Sequence, residues 1–391
     1  MAGESARSSV AVIGLGSIGS VIAGLLRAAG RHDIVACVKR PIQRLIVEQT
    51  PEPVEVPMRV FTDPAEAGPL DWVLLCTKTY QTAATAPWLA RLCRAGTRVA
   101  VLQNGVGHAE RLAPLVGQAT IVSTVVYYNG ERLAPDHVRF RRAGDHEFAV
   151  QDDADGEAFA ELLGGTSMRI LRSADLTTLA WRKLMINTVA NPITALTLQR
   201  QAVLRREDVK ALCLEILEES AAVARAEGAR LAADEAARML QNLLTYPADA
   251  GTSMYFDRLA GRPFEVEELT GAIVAAGEKH GLPTPLNRMA LILLRVIGHH
   301  SDMGGTAPIC ELLDWIGTEI PENLQSLSVR RGAGARSITQ FMIGRTRANE
   351  RPENRLRRLG INQKPSQEPS GFTVLLWRQL DKWLKETFSI E

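Results

Sequence analysis

A chain of 391 residues exceeds the ~250 to 300 that one hydrophobic core usually supports, so two globular units are expected. A hydrophobic fraction of 46%, a charged fraction of 23% and a net charge of +1 are ordinary for a globular protein and exclude any global pull toward nucleic acid or a membrane surface. The five cysteines (Cys37, Cys76, Cys93, Cys213, Cys310) form no CxxC pair and sit mostly in apolar runs, which suits a reduced, cytoplasmic compartment.

MAGESARSSV lacks the basic and then apolar segments of a secretory signal, and no apolar run approaches the ~18 to 20 residues needed to cross a bilayer. Residues 9–14, SVAVIG, read as a buried strand, and SVIAGLLRAAG as a helix ending at Gly30. DIVACV, DWVLLCT and TRVAVLQ supply further strands with helical or loop segments between them, and residues 120–150 add strands that extend the same sheet. Apolar strands alternating with helices imply a doubly wound parallel α/β sheet of the Rossmann type. From about residue 173 the pattern turns to helix after helix, so an all-α C-terminal domain follows. Expected divisions are 1–172, 173–300 and a basic extension over 301–391. Two helices are expected around 253–260 and 264–280, with Gly261 and Pro263 between them.

GLGSIG places Gly14, Gly16 and Gly19 after a strand and at the start of a helix, with Ser17 and Ile18 opening that helix. In that context GxGxxG points to a dinucleotide: Gly14 for the tight turn, Gly16 for approach of the pyrophosphate, Gly19 for packing of helix on strand. Phosphates on the helix N-terminus gain from free N–H groups and the helix dipole. At the end of the second strand, where NAD sites usually carry an acidic residue, the sequence reads Lys39-Arg40, two cations suited to a 2′-phosphate and hence to NADP. Lys78 and Asn104 stand at the carboxyl ends of two strands and would face the cofactor crevice, although Asn104-Gly105 is also a common turn pair.

KLMINTVANP carries Lys183, Asn187 and Asn191 at steps of four in an apolar helix. Residues four apart on a helix stack, so the three form one polar stripe, and buried polar groups without partners cost several kcal/mol in all. The stripe should face a substrate cleft or bond to the other domain. Pro192 disfavours helical geometry at Asn191, so a bend or end of the helix is expected there.

VIGLGSIG, LLCTKTYQT, LQNGVG, KLMINTVANPITAL, TSMYFDRLAGRPFEVEELTG and HGLPTPLN, spread over residues 9–298, resemble the ketopantoate reductases (2-dehydropantoate 2-reductases) in order and spacing. That resemblance implies an NADPH-dependent reductase of a 2-oxo acid, a small-molecule substrate, and Lys183 as general acid protonating the carbonyl oxygen. It further implies Glu265 as the carboxylate orienting that lysine and binding a substrate hydroxyl. Ser253 would bond the substrate carboxylate, Asn187 and Asn191 the substrate oxygens, and Asn104 and Lys78 the cofactor and substrate. From the residues alone, Glu265 reads equally as a first-turn acid of a helix and Ser253 as a helix N-cap. Ala250 stands where pantothenate-pathway members often carry an asparagine, which leaves room for another 2-oxo acid. A homodimer is compatible with this reading, no metal is implied, and a non-catalytic NADP sensor is the rival from another class.

The extension has no counterpart in that family. From Ser326 to Ser370 it carries nine Arg and one Lys against three Glu, and it reads as a solvated segment.

Overall fold

The computed structural model describes residues 7–298. β1 (Ser9–Ile13) passes through the glycine turn into α1 (Ser17–Ala29) and the chain returns as β2 (Asp33–Cys37). α1 stops at Gly30, whose φ of 67° is a conformation that ends helices. There follow β3 (Arg44–Glu48), β4 (Val54–Pro57), β5 (Arg59–Phe61), β6 (Trp72–Leu75), α2 (Ala86–Leu92), β7 (Arg98–Val101), α3 (His108–Val116) and β8 (Thr120–Val126). β9 (Asn129–Ala134), β10 (His137–Arg141), β11 (Phe148–Gln151), α4 (Ala154–Leu162) and β12 (Ile170–Ser173) complete the strand-bearing part.

Eight strands form one sheet in the order β12-β11-β8-β7-β6-β1-β2-β5. Its pairings are parallel except where β11 meets β8. Helices cover both faces, as fully buried parallel strands require. One face carries α1 and a core that includes Val12, Ile22 and Leu74; the other carries α2 and α3 with Val73, Leu89 and Leu112.

Two expectations need correction here. Residues 41–61 hold three strands rather than helices or loops, and β9 and β10 leave the main sheet. β3, β4, β9 and β10 pair into a second, four-stranded sheet in the order β4-β3-β10-β9. That sheet packs on the outer side of α1, so close that a Cβ on Gly24 would lie 2.4 Å from Val47 Cγ2. α1 is therefore buried between two sheets, which explains why its sequence is apolar nearly all round.

The remainder is helical: α5 (Leu176–Thr197), α6 (Glu207–Ala226), α7 (Glu235–Thr245), α8 (Ser253–Leu259), α9 (Thr270–His280) and α10 (Pro285–Gly298). Trp181, Met185, Val189, Leu217, Leu243, Ile273 and Leu294 are among the side chains that fill their common core. α5 runs through Pro192 to Thr197, so neither it nor its hydrogen-bonding register ends at Asn191. Burial of the segment from Thr188 to Ala195 outweighs the one helix hydrogen bond that proline forfeits. α9 begins at Thr270, not at 264, because residues 262–269 run as extended chain and turns after Gly261. No helix among the described residues is long and apolar enough to cross a membrane. The basic stretch 326–370 and Cys310 lie outside the described residues.

Candidate active site

The glycine turn has three separate geometries. Gly14 has φ of 93°, and a Cβ there would sit 2.9 Å from Thr77 Cγ2. Gly19 admits no side chain, since a Cβ would fall 2.0 Å from the Gly14 carbonyl oxygen and 3.0 Å from Cys76 Cβ. At Gly16 a Cβ would meet no protein atom within 4 Å. The space over Gly16 is thus left open, and the α1 N-terminus that it precedes has no side-chain cap. Ser17 and Ile18 form the first turn, where Tyr128 Oη donates to the Ile18 carbonyl at 2.8 Å. Uncapped N–H groups beneath an open space fit a pyrophosphate. Lys39 and Arg40 are exposed just beyond β2, with no carboxylate paired to either among the described residues.

Across the strand ends lies a buried charge cluster. Lys78 follows β6, and its Nζ is 2.9 Å from both Asp257 Oδ2 and Glu265 Oε2. Glu265 Oε1 accepts from the Thr79 N–H at 3.1 Å, and Glu268 accepts from Thr79 Oγ1 at 2.8 Å. Asp257 also pairs with Arg262 Nε at 2.9 Å. Burial works against the Lys78 ammonium, but Glu265 and Asp257 outweigh it and hold its pKa above the ordinary lysine value. Burial likewise pushes the Glu265 carboxyl up, and Lys78 overrides it, so the net shift is downward.

Lys183 comes from the middle of α5, half-buried, and donates to Asn104 Oδ1 at 3.1 Å and to the Val126 carbonyl. Its Nζ lies 6.0 Å from the centre of the Tyr127 ring. Burial depresses its pKa to about 8, against the opposing pull of Glu265. Asn104 joins the two lysine sites, for its Nδ2 donates to Glu265 Oε2 at 3.4 Å. Gly105 next to it has φ of 97° and lies so near the Glu268 carbonyl that a Cβ would be 2.5 Å away. The chain therefore bends at Asn104-Gly105, where the segment after β7 packs against the chain just before α9. Glu265 is bonded to Lys78, Thr79 and Asn104; its hydrogen-bonded link to Lys183 runs through Asn104, while its charge still acts on the ammonium. It also precedes α9 in extended chain, so the reading as a first-turn helix acid falls away.

Lys183, Asn104 and Asn187 line one pocket together with Gln103, Thr124 and Ala180. Asn191, one turn further along α5, is buried, and its Nδ2 has no hydrogen-bond partner. Ser253 is exposed on the first turn of α8. It is not the N-cap: Thr252 is, accepting from the Tyr255 N–H at 3.1 Å while bonding Thr194 Oγ1 at 2.7 Å. Asp257, Thr79 and Gln103 were not singled out in the sequence. Asp257 had a faint signal, a carboxylate four residues after Ser253 on a short, largely apolar helix. Among the described residues no group of three or more His, Cys, Asp or Glu is placed to hold a metal ion.

A glycine turn at the head of a parallel sheet, with a lysine and amides facing the strand ends, defines the class: an oxidoreductase of the NAD(P)-binding Rossmann type. Two family models match, "Ketopantoate reductase PanE/ApbA" over residues 10–153 and "Ketopantoate reductase PanE/ApbA C terminal" over residues 175–298. A 2-dehydropantoate 2-reductase of Mycobacterium tuberculosis is 38% identical over 289 residues, covering 73% of this chain and 97% of the relative. One from Caulobacter vibrioides is 37% identical over 290 residues, covering 73% and 98%. The solved structure of a dimeric ketopantoate reductase from Staphylococcus aureus superposes with a TM-score of 0.67 at 27% identity, over 75% of this chain and 100% of that one. The chain belongs to the ketopantoate reductase family, whose members act on CH–OH groups.

Proposed function

We propose that this protein reduces 2-dehydropantoate to pantoate, a step of pantothenate biosynthesis, with NADPH as hydride donor and Lys183 as proton donor. The observation that carries this reading is the Lys183 ammonium in the pocket wall, with a pKa of about 8 and amides at Asn104 and Asn187 beside it. When bound, the nicotinamide cofactor supplies a hydride to the substrate carbonyl carbon. An ammonium has three N–H bonds; Asn104 Oδ1 and the Val126 carbonyl take two, which leaves one for the carbonyl oxygen. That N–H stabilises the developing alkoxide and then gives up its proton to it. Burial helps, because a lysine of pKa about 8 releases a proton more readily than one of 10.5 yet stays mostly protonated at pH 7. Glu265, held by Lys78 and Thr79, is the carboxylate placed to receive a substrate hydroxyl and to orient Asn104. Asn187, Asn191 and Ser253 are assigned to the remaining substrate oxygens.

NADPH rather than NADH is supported by Lys39 and Arg40, exposed beyond β2 with no carboxylate paired to either among the described residues. In this reading residues 1–172 bind the cofactor and 173–300 supply most of the substrate contacts. A homodimer is supported by the dimeric relative, and a cytoplasmic setting by the free, buried thiols of Cys37, Cys76 and Cys213. The test is NADPH oxidation with ketopantoate, with Lys183→Ala run in parallel. Turnover that collapses in the variant supports the reading; NADPH binding without turnover on any 2-oxo acid overturns it in favour of a sensor. Turnover confined to another 2-oxo acid moves the substrate but keeps the chemistry, with Ala250 the first position to examine.

A further inference from the structure

One half-buried cation beside Gln103 has no part in the chemistry above. Arg111 lies one turn into α3, and its Nη2 donates to Gln103 Oε1 at 3.1 Å and meets His108 Nδ1 at 2.9 Å. Its Nε is buried without a partner. Among the described residues Arg111 makes no ion pair. Both groups that touch it are neutral. Burial, with the charges of Arg111 and Lys183 adding to it, drops the His108 pKa to about 3, so the imidazole is uncharged and its Nδ1 accepts from the guanidinium. Burial also lowers the Arg111 pKa, while Glu268 and Glu265 pull the other way from beyond salt-bridge reach. Those two carboxylates have closer commitments, Glu265 to Lys78 and Glu268 to Thr79.

A partly buried guanidinium whose hydrogen bonds go only to neutral groups is costly unless an anion at closer range offsets it. Gln103 connects Arg111 to the pocket, since it accepts from the guanidinium and is also one of the pocket's lining residues. Its amide is locked: Nε2 donates to the Thr77 carbonyl at 3.0 Å and to Thr82 Oγ1 at 3.0 Å, while Oε1 faces Arg111. The guanidinium is therefore one hydrogen bond away from a residue that lines the same pocket as Lys183 and Asn104.

We infer that Arg111 is a specificity-determining residue that makes the pocket select a carboxylate over its uncharged analogue, acting from beside Gln103. The inference deepens the reductase reading and rests on it: a 2-oxo acid brings the anion that the guanidinium lacks. Charge at short range in a partly desolvated site is felt strongly, and it needs no direct contact to discriminate a carboxylate from a carboxamide.

The test uses oxamate and oxamide, a pair of nearly equal size that differ in the charged group, titrated calorimetrically into the NADPH-loaded protein. The wild type is expected to bind oxamate at least about tenfold tighter than oxamide. Arg111→Gln should bring the two within about threefold, chiefly by weakening oxamate. Arg111→Lys keeps the charge and changes the bond to Gln103, so it should retain most of the preference. A preference unchanged in Arg111→Gln, or equal weakening of both ligands, overturns the inference, since a merely structural arginine would act on both alike. Loss of the preference in Arg111→Lys overturns it too, and that variant decides the matter even if Arg111→Gln does not fold. A wild type that binds neither ligand overturns the reductase reading itself, whereas binding with an unchanged preference overturns only the role of Arg111.

Discussion

The Lys78 ammonium lies 2.9 Å from Glu265 Oε2, so the carboxylate that family resemblance attaches to Lys183 is held by a different lysine. Asn104 stands between the two, accepting from Lys183 and donating to Glu265. The two lysines therefore have opposite electrostatic fates. Lys78 is kept charged by two carboxylates, and Lys183 is left with neutral acceptors and a lowered pKa. A cation that must only hold things in place gains from the first setting. A cation that must give up a proton gains from the second.

Turnover should follow the charge on Lys183. With the donor required in its protonated form, kcat is expected to be flat toward acid and to fall as pH rises through about 8. Lys183→Ala should lose about 10² to 10⁴ in kcat at neutral pH. A pH–rate profile of both proteins checks this, and a wild-type profile level to pH 10 would remove Lys183 from the role.

The same residue should cost the fold stability. Its folded pKa lies below the ordinary value, so the penalty is present in full below about 8 and fades as pH rises toward 10.5. Lys183→Met is accordingly expected to melt at a higher temperature than the wild type at pH 7, with the gain shrinking by pH 10, while turnover is lost. Thermal denaturation at the two pH values reads out the sign.

Removing Lys78 takes a cation from two buried carboxylates, of which Asp257 keeps Arg262 and Glu265 keeps only neutral donors. Lys78→Met should lose about 3 kcal/mol of stability at pH 8, in the range typical of breaking a buried pair. Lys78 is the main cause that holds the Glu265 carboxyl down, so without the cation that pKa moves up and the loss should ease toward pH 5 as Glu265 takes a proton. Adding Glu265→Gln should recover part of the stability at pH 8. Urea unfolding of the single and double variants measures both effects.

Two glycines of the turn should respond in opposite ways. Gly19→Ala puts a methyl 2.0 Å from a backbone carbonyl and is expected to cost about 3 kcal/mol or more in stability. Gly16→Ala meets no protein atom within 4 Å, so its melting temperature should stay near that of the wild type while NADPH affinity falls at least about tenfold. Fluorescence titration alongside melting curves separates the two. An unimpaired Gly16→Ala would place the phosphates elsewhere.

Cofactor choice should reside in the cations beyond β2. Arg40→Ala is expected to raise the KM for NADPH about tenfold and to leave that for NADH nearly unchanged, because only the 2′-phosphate has charge to lose. Equal effects on both cofactors would show that Arg40 does not see the phosphate.

Much was legible in the chain because it is local. Continuous apolar runs marked β1, β2, β6 and β7 as buried strands, and the glycines after β1 stand where a tight turn, an open space and a close helix contact are needed. The step of four from Lys183 to Asn187 put both on one pocket wall, since helical spacing is a property of the backbone. Where tertiary burial overrides local preference, the sequence misled: α5 continues through Pro192, and Thr252 rather than its neighbour Ser253 caps α8. The short strands β3, β4, β9 and β10 pair across the chain on the outside of α1, and no local pattern announces that. Lys78 and Glu265 are 187 residues apart, and at such a separation spacing carries no information about contact. Composition, periodicity and glycine placement thus dictated which elements form, through dihedral preference and the burial of apolar faces. Which lysine is held charged and which is left able to release a proton was decided by folding alone, because a pKa depends on what surrounds the group in space.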